Sequence, residues 1–166
     1  MSKGLSYLFN GTRGERQAHA IMPSVQRDAV LNWANRLSAE LSAKSRRQRD
    51  RFKTACVAVD DRTGRMYFGR NGGIGQDGTG LHPTLKKILP KEPLNNYPTP
   101  WNCAETDAIN KALHAGASLS DIHIYTISTA LRGSGNNKYG HSKKSCENCT
   151  AAFKGRIRRN NTGWTE

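Results

Sequence analysis

The chain of 166 residues is long enough for one domain whose core closes without disulfides, but a hydrophobic fraction of 36% implies long polar loops around a modest core. No apolar run approaches the roughly 18 residues that span a bilayer, so no membrane partner is expected; Met1 to Arg16 lack the charged-then-apolar order of a signal peptide, so neither is ordinary secretion. The 26 Lys plus Arg against 13 Asp plus Glu leave a net charge of +13, which favours polyanionic partners, nucleic acid ahead of an acidic protein.

Residues 1–23 read as a polar N-terminal extension in which Leu5, Tyr7, Leu8 and Phe9 form a short apolar patch able to dock on the domain at 24–166. Ser24 is the expected N-cap of a helix whose inner face is Val30, Trp33, Ala34, Leu37 and Leu41, at spacings of three and four. Its last turns carry the basic run Lys44, Arg46, Arg47, Arg49 and Arg51, which suits the helix dipole. A hairpin follows: Thr54 to Asp60 as a buried strand, Asp61-Arg62-Thr63-Gly64 as its turn, and Arg65 to Gly69 as the return. Cys56, inside that apolar run, reads as a buried small hydrophobe.

Residues 70–100 are a Gly- and Pro-rich segment with one helical turn at Leu85 to Leu89, and a loop of that length in a compact domain is usually functional. Cys103 to Leu113 reads as a helix that stops near Gly116, and Ile122 to Ile127 as a strand. A polar, basic loop at 132–144 leads to a second short helix, Cys146 to Lys154. The tail beyond it is short, and a fifth strand between Gly155 and Trp164 is not expected. Helices alternating with strands argue for a sheet covered on both faces.

With no signal peptide, the four cysteines suggest thiol or metal chemistry before disulfides. Three of them stand in Asn102-Cys103-Ala104-Glu105 and, far downstream, Ser145-Cys146-Glu147-Asn148-Cys149. A catalytic zinc wants three protein ligands and one open position. Cys146 and Cys149, three apart at a helix start, can point to one side of its first turn, and Cys103 at another helix start can supply the third thiol. Helix N-termini favour thiolates. Glu105, two residues past a ligand, is then placed to move protons without ligating the metal. A redox Cys-x-x-Cys pair, or a structural zinc completed by His114 or His141, is the competing reading; neither accounts for Glu105.

This residue order resembles the zinc-dependent cytidine deaminase superfamily, whose signature is His or Cys, any residue, Glu, then Pro-Cys-x-x-Cys. Within it, Asn-Cys-Ala-Glu with Cys-x-Asn-Cys and a basic, loop-rich body is similar to the bacterial toxin deaminases of the YwqJ-like group, some of which resemble enzymes acting on cytosine in single-stranded DNA. Ser145 departs from the pattern by replacing the usual Pro. The resemblance, which extends from about Ser24 to Lys154, implies a three-layer α/β/α sandwich with a mixed sheet for the domain at 24–166. It implies Zn²⁺ ligation at Cys103, Cys146 and Cys149, proton transfer at Glu105, and substrate contacts from Asn71 and from the backbone N–H of Ala104.

A deaminase cannot reach its target atom inside a stacked duplex. Single-strand binding wants a basic groove with aromatic platforms; Arg46 to Lys53 and Arg132 to Lys144 supply the charge, and Tyr97 and Trp101 are the aromatics expected at the mouth. His82 and His141 read as surface histidines. The expectation is therefore a zinc-dependent deaminase of cytosine in single-stranded DNA. The resemblance makes it the toxin domain of a bacterial effector, secreted or delivered by a specialised system into a target-cell cytoplasm, with an acidic immunity protein as partner. Beside it stand an RNA- or free-nucleoside-directed deaminase and a non-catalytic zinc module that binds nucleic acid.

Overall fold

The computed structural model describes residues 5–6 and 11–166. Their elements run β1 (Leu5–Ser6), α1 (Arg13–Ala20), α2 (Pro23–Lys44), α3 (Arg46–Arg51), β2 (Thr54–Asp60), β3 (Arg65–Arg70), α4 (Pro83–Ile88), α5 (Ala104–His114), β4 (Ile122–Ser128), α6 (Glu147–Phe153) and β5 (Arg159–Asn160). The result is the expected layered α/β fold, with a mixed sheet in the order β1-β3-β2-β4-β5 and helices on both faces. The apolar patch read at Leu5, Tyr7, Leu8 and Phe9 lies outside the described residues, apart from the backbone of Leu5, which pairs with Met66.

β2 is the axis of the sheet. Val57 lies opposite Phe68 of β3 on one side and Tyr125 of β4 on the other, both pairings antiparallel, and all seven residues of β2 are buried. Alternation along the strand separates two cores. Ala55, Val57 and Val59 pack with Val30, Ala34 and Leu41 of α2, while Cys56 and Ala58 pack with Ala104, Ala108 and Ile109 of α5. Trp33 of α2 stacks on Phe68 with ring centroids 5.5 Å apart.

On the α5 side the approach is closer still. A Cβ added at Gly69 of β3 would lie 2.3 Å from the Ala108 nitrogen and 2.4 Å from the Ala104 oxygen, so strand and helix touch backbone to backbone. One residue type permits this, and it seats the N-terminal turn of α5 against the end of β3.

Three local readings change. Met22, not Ser24, caps α2, and Pro23 occupies its first position, where a fixed φ and a missing N–H cost nothing. The basic run does not end α2: the chain leaves the helix at Ser45, whose hydroxyl accepts the Gln48 N–H at 3.1 Å and caps the separate helix α3. The tail does return to the sheet, for two residues. β5 runs parallel to β4, anchored by Arg158 N–H on Ile122 O at 2.9 Å and Asn161 N–H on Ile124 O at 3.0 Å.

Candidate metal centre and active site

Two helix starts converge. Cys103 is the N-cap of α5 and Cys146 the N-cap of α6, with Cys149 one turn further on. Their three sulfurs all lie within 4.8 Å of one another. A tetrahedral ion with metal–sulfur bonds of about 2.3 Å places such sulfurs about 3.8 Å apart, so the trio can hold a metal ion after small adjustment. Neither His114 nor His141 belongs to the group among the described residues, and His114 Nε2 instead lies 2.7 Å from the Gly80 carbonyl.

Cys146 is the acceptor of the trio. Hydrogen bonds from the Cys103 and Cys149 thiols, and then from the backbone N–H groups of Cys149 and Asn148, hold it well below the ordinary thiol range. Cys103 is pushed the other way, first by its hydrogen bond to Cys146, and Cys149 first by burial. The Thr106 hydroxyl lies 3.6 Å from the Cys149 sulfur and supports it from α5. A second cluster, Asp60, Asp61 and Asp121, is already engaged: Arg62 pairs with Asp60 and Asp121, Arg158 with Asp61, and His123 Nε2 lies 3.0 Å from Asp61 Oδ2.

Glu105, the second residue of α5, is 2% exposed. Burial first, then the negative charge of Cys146, push its carboxyl up to about 7, against the Ser145 hydroxyl and the charge of Lys143. Ala104, between ligand and acid, is the first residue of the helix, where a backbone N–H has no partner within the helix. The loop after β3 is stitched to the same turn. Asp107 Oδ2 accepts the Arg70 N–H at 3.0 Å, Gly72 donates to the Asn102 carbonyl at 2.8 Å, and a Cβ at Gly73 would fall 2.1 Å from Asp107 Oδ2.

Cys103, Ala104, Glu105 and Cys146 contribute to an open cavity of about 1100 Å³. Lys44, Arg51, Lys53, Arg70, Lys143 and Lys144 also line it. The two basic segments read from the sequence divide between sites. Arg49 turns inward, 3% exposed, and donates to the Phe52 and Thr129 carbonyls; Arg46 and Arg132 line a separate hollow of about 280 Å³.

The remaining candidates fare differently. Asn71 is in the cavity wall, but its side chain is engaged: Oδ1 accepts the Lys53 and Thr54 N–H groups at 2.9 and 3.1 Å, and Nδ2 donates to the Arg51 carbonyl at 2.8 Å. It clamps the junction of α3 and β2. Trp101 is not among the cavity residues: its indole N–H donates to the Gly75 carbonyl at 2.8 Å and its ring packs on the α5-side core. Tyr97 does line the cavity; burial, then the charges of Cys103, Cys146, Glu105 and Glu147, push its hydroxyl up to about 12. His82 caps α4 through Nδ1, and His141 is exposed.

The sequence reading missed a strap formed by the C-terminal tail. Ser145 donates its N–H to the Gly163 carbonyl at 2.9 Å, its hydroxyl accepts Asn160 Nδ2 at 2.9 Å, and its carbonyl accepts the Thr165 hydroxyl at 2.5 Å. The residue just before Cys146 is thereby held on three sides. Nothing in the sequence of 160–165 ties it to Ser145.

A family model described as YwqJ-like deaminase matches residues 38–154, well over half of the chain and all of the convergent site. The strap and β5 lie beyond the match. Comparisons with curated proteins and with solved structures returned no match.

Proposed function

This chain belongs to the YwqJ-like deaminase family, and from that premise we propose that it is a zinc-dependent hydrolytic deaminase converting cytosine to uracil in single-stranded DNA. The observation that carries the reading is the buried carboxyl of Glu105 in a cavity shared with two members of a cluster of three sulfurs within 4.8 Å of one another. Cys103, Cys146 and Cys149 would hold the ion: three soft donors suit zinc and leave one tetrahedral position free. When bound, zinc supplies the Lewis acidity that brings water near its deprotonation point at neutral pH.

The chain's own residues do the rest. Glu105 takes a proton from water as the oxygen bonds to C4 and gives it to ring N3. It then takes the second proton, from the new C4 hydroxyl, and delivers it to the amine as the C4–N bond breaks, so cytosine plus water becomes uracil plus ammonia and the carboxylate is restored. The N–H of Ala104 holds the edge of the base. Tyr97 offers an aromatic face at the rim, and the rim cations follow the phosphates of a flexible strand. The cavity is open and lined by six Lys and Arg side chains, which favours a polymer with its phosphates over a free nucleoside. The setting we infer is the toxin domain of a bacterial effector, secreted or delivered by a specialised system and acting in the target-cell cytoplasm. The net charge of +13 makes an acidic immunity protein the natural neutralising partner.

The test is uracil formation. Purified protein is incubated with labelled single-stranded DNA containing one cytosine, followed by glycosylase treatment and strand cleavage, with Glu105→Ala alongside. The parent is expected to give cleavage and the variant none, with zinc retained in both. Product on RNA, on adenine-containing strands or on free nucleosides alone would keep the chemistry and replace the substrate. Activity equal in the variant would refute the role of Glu105.

A further inference from the structure

Two residues stand between the ligand pair Cys146 and Cys149, and the chemistry above uses neither. Both grip the same loop. Asn148 is fully buried, with Oδ1 accepting the Leu94 N–H at 2.8 Å and Nδ2 donating to Asn95 Oδ1 at 3.1 Å. Asn95 in turn donates through Nδ2 to Glu147 Oε2 at 3.0 Å, and its Oδ1 also accepts the Tyr97 N–H at 3.0 Å. The loop 94–97 therefore takes its position from the turn of α6 that carries the two cysteines. A buried amide is costly to leave unmet, so loop and turn move together.

Of this loop, Tyr97 lines the cavity and Leu94 does not. Leu94 is 57% exposed and Tyr97 37%, against 2% for Glu105. A target base must descend to Glu105, so a side chain at the rim meets the part of the strand that stays outside, which is the adjoining nucleotide. Cations around an opening attract phosphates, whereas the partly exposed ring of Tyr97 offers a surface for the face of a base, whatever its identity.

We propose that the loop 94–97 is the subsite for the nucleotide next to the target, with Tyr97 the surface on which its base stacks and Asn95 and Asn148 the positioning residues. This rests on the single-strand reading above. The Cys-Glu-Asn-Cys segment then has two duties: its cysteines hold the metal, and the residues between them set the distance from metal to neighbouring base.

The test uses the full chain with Glu105→Gln, which binds without turnover. It is titrated by fluorescence anisotropy against labelled single-stranded DNA with one cytosine, the base on its 5′ or 3′ side either present or replaced by an abasic site. One abasic strand is expected to bind about tenfold more weakly, and Tyr97→Ala in the same background to bind that strand and the intact one within about twofold of each other. Asn95→Ala falls between them. Tyr97→Phe keeps the full discrimination and guards against a loop merely loosened by truncation. Equal weakening of both strands by Tyr97→Ala, or a parent indifferent to both abasic sites, overturns the subsite while strand deamination persists. A parent with Glu105 intact that deaminates nucleosides and no strand overturns the subsite together with the reading it rests on.

Discussion

Gly69→Ala asks whether the geometry of the site comes from direct backbone contact between β3 and α5. The added Cβ would lie 2.3 Å from the Ala108 nitrogen and 2.4 Å from the Ala104 oxygen, where ordinary contact starts at 3.4 Å, so strand and helix must part by about 1 Å. Both obstructing atoms are backbone, and no rotamer change relieves them. Overpacking of this kind costs about 1–3 kcal/mol, and an obstacle that cannot yield belongs at the upper end, ~3 kcal/mol. At this chain length that lowers Tm by roughly 6–12 °C. The displacement also falls on Ala104, between Cys103 and Glu105, and a misplacement of about 1 Å at reacting groups costs on the order of 100-fold in turnover. The assays are thermal unfolding by circular dichroism, zinc per chain, and uracil formation. Gly14→Ala, where nothing lies within 4 Å of an added Cβ, is the control. A Gly69→Ala protein that melts with the parent and turns over at the parental rate would refute the reasoning.

Cys146→Ala is expected to lower zinc content below one per chain, read by metal analysis. Its unfolding midpoint should no longer rise with added zinc, whereas zinc at 100-fold over Kd stabilises the parent by about 2.7 kcal/mol. Glu105→Gln keeps nearly the same shape and removes the proton carrier, so turnover falls by roughly 10²- to 10⁴-fold while zinc content stays at the parental level. Asn160→Ala removes the donor to the Ser145 hydroxyl and the acceptor of the Thr162 and Gly163 N–H groups. Zinc affinity, measured by chelator competition, is expected to fall about tenfold, in the range for residues that support a ligand from outside. Lys143→Ala with Lys144→Ala removes two cavity cations, and the slope of log affinity for single-stranded DNA against log salt should fall in magnitude by about 1.4.

Where the determinants are local, they were legible. β2 runs over the residues read from the sequence, Thr54–Asp60, because a strand buried on both faces is written as one apolar run between turn residues. The three cysteines and Glu105 were legible as a group because a ligand pair on one helical turn, and an acid two residues past a third ligand, are short-range patterns. That Trp101 stays out of the cavity, and that Asn71 stands in its wall with its amide already engaged, was not legible, for the opposite reason. Their polar atoms are consumed by Gly75 and by the backbone at Arg51, Lys53 and Thr54, far along the chain, and no local pattern announces that. The fifth strand was not expected because a two-residue strand has no periodicity; parallel pairing with β4 makes it. The break between α2 and α3 turns on the single residue Ser45, in a stretch where basic residues on both sides hid it.

The position of the positive charge also bears on why the chain carries so much. The metal site has modest need of it. The N-termini of α5 and α6 already present partial positive charge to the sulfurs, and Lys143 acts on the Glu105 carboxyl. Lys44, Arg51, Lys53, Arg70 and Lys144 line the same cavity without that justification. Like charges gathered around one opening repel one another, and folding alone gives no reason to bring together segments as distant as α3 and 143–144 for that purpose. The polyanion proposed above would supply the reason, since its phosphates would relieve the repulsion and release counterions as they did so. Charge that costs the empty protein stability and repays it on binding is what a strand-binding cavity requires, and a pocket for a free nucleoside, with no phosphate chain to hold, would have no use for it.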